Sequence, residues 1–265
     1  MRVPATEPGF DIRRIVGRQV LKAATHVGRF SYLVAEIVRG LSEWRIWVPR
    51  TFEQGVNVGA GSLFIVLLTA AFAGGVTSLQ AGYQFTGSIP VYFAAGVIVE
   101  SIILELGPVL TALILAGRVG ARYAAELGTM RVTEQIDALE SLGRSPISHL
   151  VIPRVIAGTL MLPVLVVFAD LIGILSGWLA AGSSLHITNA DFIYGARYFF
   201  RPYDLWYSLI KSVFFGLAVT VVPCYMGFNT QQGAEGVGRG TTGAVVSSSV
   251  LILALDALLS QVLLV

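Results

Sequence analysis

Five long apolar stretches follow a polar N-terminal region, and short polar segments separate them. A bilayer core of about 30 Å requires roughly 20 apolar residues in a helix that rises 1.5 Å per residue. Each stretch is long enough, so the pattern predicts five transmembrane helices. Their predicted bounds are 55–79, 93–117, 147–181, 205–228 and 244–265.

The third stretch is too long for one straight span. Pro153 and Pro163 predict where its helix starts and where it kinks, because proline lacks the amide that continues a helix. The segment 80–92, after the first span, contains no charge and is predicted to be a short polar turn.

The N-terminal region, 1–53, mixes basic and apolar side chains. Leu33, Ile37 and Leu41 recur at a helical period, and Trp47 near the end of the region favours the headgroup layer. The pattern predicts an amphipathic helix in the cytoplasmic membrane interface, followed by a five-span domain. A soluble pair of helices is the alternative.

The composition agrees with a membrane protein, since 55% of the residues are hydrophobic and only 13% are charged. Soluble domains contain about 25% charged residues. A net charge of +2 without one basic stripe argues against nucleic acid as a partner. The lone Cys224 predicts neither a disulfide nor a metal site. The first thirty residues are polar and do not resemble a cleavable signal peptide.

The basic residues predict the orientation of the spans. Fifteen of the eighteen lie before the first span, between Gly117 and Arg154, or in the loop between spans four and five. Arg197 and Arg201 lie in the loops on the other side, and Lys211 lies inside the fourth span. Because cytoplasmic loops are enriched in basic residues, we expect a cytoplasmic N-terminus and a periplasmic C-terminus.

The segment 128–143, between spans two and three, predicts one short amphipathic helix over about 129–142. Val132, Ile136 and Leu139 form an apolar stripe at helical spacing. A helix of about three turns is not stable alone in water, so the stripe needs a partner surface. It either packs on loops of its own chain or docks into another subunit.

The sequence contains no recognisable nucleotide site. A P-loop ends in Gly-Lys-Ser/Thr, and neither Lys22 nor Lys211 follows a glycine. The glycine-rich segment 233–243 contains an arginine instead and is predicted to be a flexible cytoplasmic turn. The three histidines lack a neighbouring Ser–Asp pattern. We therefore expect a chain that is not an enzyme, and a partner subunit that supplies any energy from ATP.

Ionisable side chains inside the predicted spans are candidate functional residues. A charge at the bilayer centre costs about 3 kcal/mol or more, so it usually faces a cavity or a partner. The candidates are Glu100, Glu105, Asp170, Lys211 and Asp256.

Four blocks of the sequence, 105–143, 145–165, 211–220 and 241–256, resemble the MlaE/YrbE family of permeases. The resemblance implies an all-α integral membrane fold and a homodimer in the inner membrane. It implies a cytoplasmic ABC ATPase dimer that binds ATP, an MCE-protein ring on the outer side and, in many systems, a small STAS-type subunit. The implied cargo is phospholipid exchanged between the inner and outer membranes.

The resemblance also implies roles for individual residues. Glu105, Lys211 and Asp256 match the family's buried polar cluster near the lipid path, although many members have arginine where this chain has Leu104. A structural salt bridge between the lysine and either carboxylate is the alternative interpretation. The helix within 128–143 resembles the coupling helix that binds the ATPase. Its predicted contacts are Arg131, Glu134, Gln135, Asp137 and Glu140.

The glycine-rich end of the first span and the charge-free turn after it predict the outer mouth of a lipid cavity, lined by Gln80 and Tyr83. Two functions compete with an ATP-driven lipid permease. One is an ion-coupled secondary transporter that uses Glu105 and Asp256 as relays. The other is a structural membrane anchor for an MCE assembly.

Overall fold

The structure is a computed structural model that describes residues 12–85, 90–184, 187–231 and 233–264. Within these ranges the chain forms eight helices and no strand. The helices are α1 (Ile12–Gly40), α2 (Trp44–Gln84), α3 (Tyr92–Val132), α4 (Gln135–Ser141), α5 (Ile147–Ser183), α6 (Asn189–Phe199), α7 (Pro202–Phe228) and α8 (Ala234–Leu264).

Five of these helices, α2, α3, α5, α7 and α8, are long and apolar enough to cross a membrane. The predicted all-α fold with five spans is therefore confirmed. Several helices extend beyond their predicted bounds. Both α2 and α3 contain 41 residues, which corresponds to about 60 Å at 1.5 Å per residue. They are about twice as long as the hydrocarbon core is thick, so their ends project beyond it.

One predicted turn is helical, and another is shorter than predicted. The glycine-rich segment 233–243 was predicted to be flexible, but all of it after Gly233 belongs to α8. Glycine at positions such as Gly240 allows close contact, since a Cβ there would lie 3.0 Å from Thr230 Oγ1. At the other side of the bundle, the predicted turn 80–92 begins too early, because α2 continues to Gln84.

The predicted single helix over 129–142 is wrong. Val132 is the last residue of α3, and a turn at Thr133 and Glu134 separates it from α4. Glu134 has a left-handed backbone with φ 60°, which a continuous right-handed helix does not contain. Gly143, with φ 68°, ends the connection after α4 in the conformation that glycine favours.

Contacts at small residues define the packing of the spans. The backbones of Gly74 in α2 and Gly173 in α5 touch, and these two helices run parallel. Antiparallel contacts join α5 to α7, where Gly158 packs on Thr220. Small residues allow such close approach when the lipid gives no hydrophobic drive for association.

The bundle has two ends. The α4 end contains the starts of α2, α5 and α8 and the last turns of α3 and α7. At the α6 end, α6 packs on the start of α3, with Tyr92 against the rings of Tyr194 and Tyr198. Sequence patterning did not predict α6, an 11-residue helix in the loop before α7.

The N-terminal helix α1 is attached to the α4 end. Leu33 is buried in the main core, and His26 Nδ1 lies 2.8 Å from the hydroxyl of Tyr225 in α7. The described part of the region is therefore helical, as expected. Residues 1–11 lie outside the described part of the chain. The region ends at Gly40 rather than at 53, because α2 begins at Trp44.

Candidate functional site

A buried lysine joins three of the membrane-spanning helices. Lys211 in α7 is completely buried. Its ammonium donates to Glu105 Oε2 in α3 at 2.9 Å and forms an ion pair with Asp256 in α8. It also donates to the Tyr207 hydroxyl at 3.1 Å, and Ser260 Oγ lies 3.5 Å away. We call these five residues the Lys211 cluster.

The backbone of α3 contributes to the same cluster. Glu105 lies in a π turn, Ile102–Leu106, where the amide of Gly107 donates to the carbonyl of Ile102. The Leu104 carbonyl within this turn accepts a hydrogen bond from Lys211 Nζ at 3.1 Å. Single π turns interrupt the regular hydrogen-bond pattern of a helix and are frequent at functional sites. Leu104 therefore participates through its backbone, although its side chain is apolar.

The charges of the cluster do not balance. One ammonium faces two carboxylates, and the side chain of Glu105 is 50% exposed whereas that of Asp256 is 14% exposed. Counted along the helices from the α6 end, Glu105 lies about 20 Å from Tyr92 and Lys211 about 14 Å from Pro202. The Lys211 cluster thus lies within the apolar part of the bundle, and Glu105 exposes one edge of the cluster on the bundle surface.

The structure brings together Glu105, Lys211 and Asp256, which are far apart in the sequence. Both of the salt bridges considered for the lysine are present at once. Asp170 does not join the cluster, because its Oδ2 accepts a hydrogen bond from Ser208 at 3.4 Å. The role of the cluster in lipid transport stays a prediction.

Tyr207 and Ser260 were not among the residues predicted from the sequence. Their hydroxyls are 2.7 Å apart, and the Tyr207 ring lies 4.8 Å from Lys211 Nζ. A signal was present, because Tyr207 precedes Lys211 by four residues and Ser260 follows Asp256 by four. Side chains at this spacing lie on the same face of a helix.

The predicted coupling residues lie in α4 and just before it. Arg131 at the end of α3 forms an ion pair of 2.5 Å with Asp137 in α4. Gln135 donates to Thr133 Oγ1 at 3.1 Å, and Glu134 forms the turn between the helices. All five predicted residues, Arg131, Glu134, Gln135, Asp137 and Glu140, are exposed.

Only part of the apolar side of the α4 segment is buried within the chain. Ile136 is 1% exposed and anchors the helix to the bundle, whereas Leu142 is 74% exposed. A cavity of about 730 Å³ lies between α4 and α1, lined by Tyr32, Glu36 and Glu140 among others. The helix therefore buries one side chain, that of Ile136, against its own chain and presents its polar side outwards.

The predicted outer-mouth residues lie away from the Lys211 cluster. Gln80 and Tyr83 are both exposed on the last turns of α2, and Tyr83 is 87% exposed. Helix α2 packs mainly on α5, with fewer contacts to α3. Among the described residues, no three His, Cys, Asp or Glu side chains lie close enough to hold a metal ion.

These features define a class of protein, a five-span helical membrane protein with a charged cluster inside the spans and a short polar helix between two of them. The sequence matches the family model described as "Permease MlaE" over residues 51–262. A probable ABC transporter permease protein of Rickettsia conorii is 39% identical over 252 residues, which cover 95% of this chain and 97% of that protein.

Two further relatives have more specific names. The intermembrane phospholipid transport system permease protein MlaE of Haemophilus influenzae is 33% identical, with 94% of this chain and 95% of that protein covered. Protein TRIGALACTOSYLDIACYLGLYCEROL 1, chloroplastic, of Arabidopsis thaliana is 39% identical over 86% of this chain and 64% of that protein. The chain belongs to the MlaE family of ABC transporter permeases.

Proposed function

We propose that this chain is the membrane-spanning subunit of an ATP-driven phospholipid transporter. It works as a homodimer in the inner membrane and exchanges phospholipid with an MCE-protein ring on the outer side. The name of the Haemophilus influenzae relative supports phospholipid as the cargo. In this proposal the chain has no catalytic residue, and a cytoplasmic ATPase dimer, with or without a STAS-type subunit, binds and hydrolyses the ATP.

One observation carries the proposal, the half-exposed carboxylate of Glu105 within a span. A carboxylate in contact with lipid tails is costly, so such groups face a partner or a polar cavity. A second copy of the chain placed against α3 and α8 would cover Glu105 and Asp256 and enclose a polar space between the copies. A polar phospholipid headgroup suits that space, with the half-exposed carboxylate of Glu105 facing it.

The exposed polar side of α4 supports an ATPase as the partner at the α4 end. Seven residues, Gln135–Ser141, are too few for a stable isolated helix. The buried Ile136 and the Arg131–Asp137 ion pair fix α4 to the bundle. A force applied to its exposed side would therefore reach the spans. The distribution of basic residues supports a cytoplasmic location for this end, with the C-terminus periplasmic.

Reconstitution into proteoliposomes tests the proposal. The chain is co-purified with its ATPase, and transfer of labelled phospholipid to a soluble MCE acceptor is measured with and without ATP. We expect ATP-dependent transfer that the triple variant Glu105→Gln/Lys211→Met/Asp256→Asn loses while the ATPase stays bound. Transfer without any ATPase would support an ion-coupled transporter instead. A bound ATPase with no ATP-dependent transfer would support a structural anchor.

A further inference from the structure

A second ion pair, in which the arginine is buried and the glutamate is partly exposed, lies at the α4 end of the bundle. Arg154 in α5 is 6% exposed, and its Nη2 donates to Glu126 Oε2 in α3 at 3.1 Å. Its Nη1 donates to the carbonyl of Leu150 at 2.7 Å, and its guanidinium carbon lies 5.5 Å from the centre of the Tyr123 ring. Arg122 Nε holds the other carboxylate oxygen of Glu126 at 2.6 Å.

This pair connects the two helices between which α4 is suspended. Glu126 lies six residues before the end of α3 at Val132, and Arg154 lies seven residues after the start of α5 at Ile147. At 1.5 Å per residue, the bond is about 9–10 Å from both attachment points of the connection that contains α4. It closes a loop formed by α3, α4 and α5.

A contact of another kind joins α3 and α5 nearer the α6 end. There Gly173 and Gly177 of α5 pack on the apolar side chains of Ile102 and Ile98 in α3. Packed helices slide past each other by small shear movements when apolar surfaces meet. A charge-assisted hydrogen bond is directional and short, so it opposes such sliding. The α4 end therefore holds a directional bond between the two helices that the contacts at Gly173 and Gly177 lack.

We propose that Glu126 and Arg154 form a positioning clamp that makes the α4 ends of α3 and α5 move as one body. The proposal rests on the ATP-driven function proposed above. When the ATPase displaces α4, the clamp passes that displacement to both spans. α3 contains Glu105, so the movement reaches the Lys211 cluster. Without the clamp, α4 would move relative to its supports, and ATP hydrolysis would proceed with little lipid movement.

A purely stabilising role makes a different prediction. Replacing both members of a buried ion pair with neutral side chains of similar size is often neutral or stabilising. The double variant Glu126→Gln/Arg154→Met therefore removes the clamp without leaving an uncompensated buried charge. If the pair only stabilises the fold, this variant transports normally. If it is a clamp, the variant folds and binds the ATPase but is uncoupled.

The experiment measures phospholipid transferred per ATP hydrolysed in proteoliposomes. For Glu126→Gln/Arg154→Met we expect hydrolysis close to that of the unmodified protein and roughly tenfold fewer lipids per ATP, within the range that coupling networks contribute. The matched control is Glu235→Gln/Arg239→Met, an exposed pair 3.8 Å apart in α8 at the same end. It should leave the ratio unchanged.

Three outcomes overturn the clamp. The first is a double variant with the lipid-to-ATP ratio of the control, and the second is one that no longer binds the ATPase. The third comes from a measurement that needs no transport, the distance between spin labels at Thr129 in α3 and Leu160 in α5. The clamp predicts one narrow distance, which broadens in the double variant. Equal widths would refute the clamp, whereas absent ATP-dependent transfer by the unmodified protein refutes only the proposed function.

Discussion

Replacing Lys211 with methionine should destabilise the protein strongly, because two carboxylates then lose their shared cation. Removal of one partner from a buried ion pair costs about 3–5 kcal/mol. Loss of the ion pair with the largely buried Asp256 should cost about 3 kcal/mol of stability. The Glu105 pair adds about 0.5–1 kcal/mol, since its carboxylate is half exposed and solvent screens it.

The expected sum is about 3–4 kcal/mol, most of it from the ion pair with Asp256. For a chain of this size, each kcal/mol lowers the midpoint of thermal unfolding by about 2–4 °C. Lys211→Met should therefore lower the midpoint by roughly 6–16 °C. The assay is intrinsic tryptophan fluorescence of the detergent-purified protein during heating. The exposed Arg239→Met is the control, with an expected loss of at most about 1 kcal/mol.

A triple variant tests the reasoning behind this magnitude. Glu105→Gln/Lys211→Met/Asp256→Asn leaves no unpaired charge in the cluster, so it should regain most of the lost stability. A single variant that unfolds within about 2 °C of the unmodified protein would refute the reasoning. So would a triple variant no more stable than Lys211→Met. Lipid transfer by the triple variant then separates a structural role of the Lys211 cluster from a role in lipid transport. If the salt bridge is only structural, the triple variant should recover transport.

Three further predictions use other parts of the molecule. Gly74→Ala should cost about 1–3 kcal/mol, because its new methyl group meets the backbone of α5; thermal unfolding measures this. Charge reversal at Glu134 and Asp137 should release the ATPase or uncouple hydrolysis from transport, and co-purification shows which occurs. A photocrosslinking residue at Tyr83 should capture phospholipid at least as well as one at Leu171, a 59% exposed site on the membrane-spanning α5.

Each of these predictions has a matched control. Gly28→Ala adds the same methyl group at a helical glycine with no atom within 4 Å and should not destabilise the protein. Charge reversal of Glu235 and Arg239 changes an exposed pair at the α4 end without touching α4. A double reversal at α4 that leaves both the complex and transport intact would contradict the coupling role. Lipid captured at Leu171 but not at Tyr83 would contradict an outer mouth on α2.

The number and type of the membrane-spanning helices were predictable from the sequence. A backbone in lipid must satisfy its own hydrogen bonds, so each span has to be a continuous apolar helix of sufficient length. That requirement is local and can be recognised in a window of about 20 residues. The ends of the helices were less predictable. The last turns of α2 and α3 and the first turns of α8 lie beyond the apolar windows that define the spans.

The break at Glu134 shows another limit of sequence patterning. The apolar stripe of Val132, Ile136 and Leu139 has helical spacing, yet a left-handed residue separates its first member from the other two. A stripe records which side chains are apolar and not whether the backbone between them is continuous. The connection between α3 and α5 must also allow these two helices to pack together. The Glu126–Arg154 bond is one of the contacts at which they meet.

The sequence by itself determined that this is a membrane protein with five spans, and it indicated a short helix between two of them without giving its bounds. These properties depend on residue type and on spacing along one helix. Only the tertiary structure decided that Lys211 meets Glu105 and Asp256, and that Glu126 meets Arg154. Such pairs depend on how far each helix is rotated and shifted against its neighbours. That arrangement is set by close contacts such as Gly74 on Gly173, which no single helix contains.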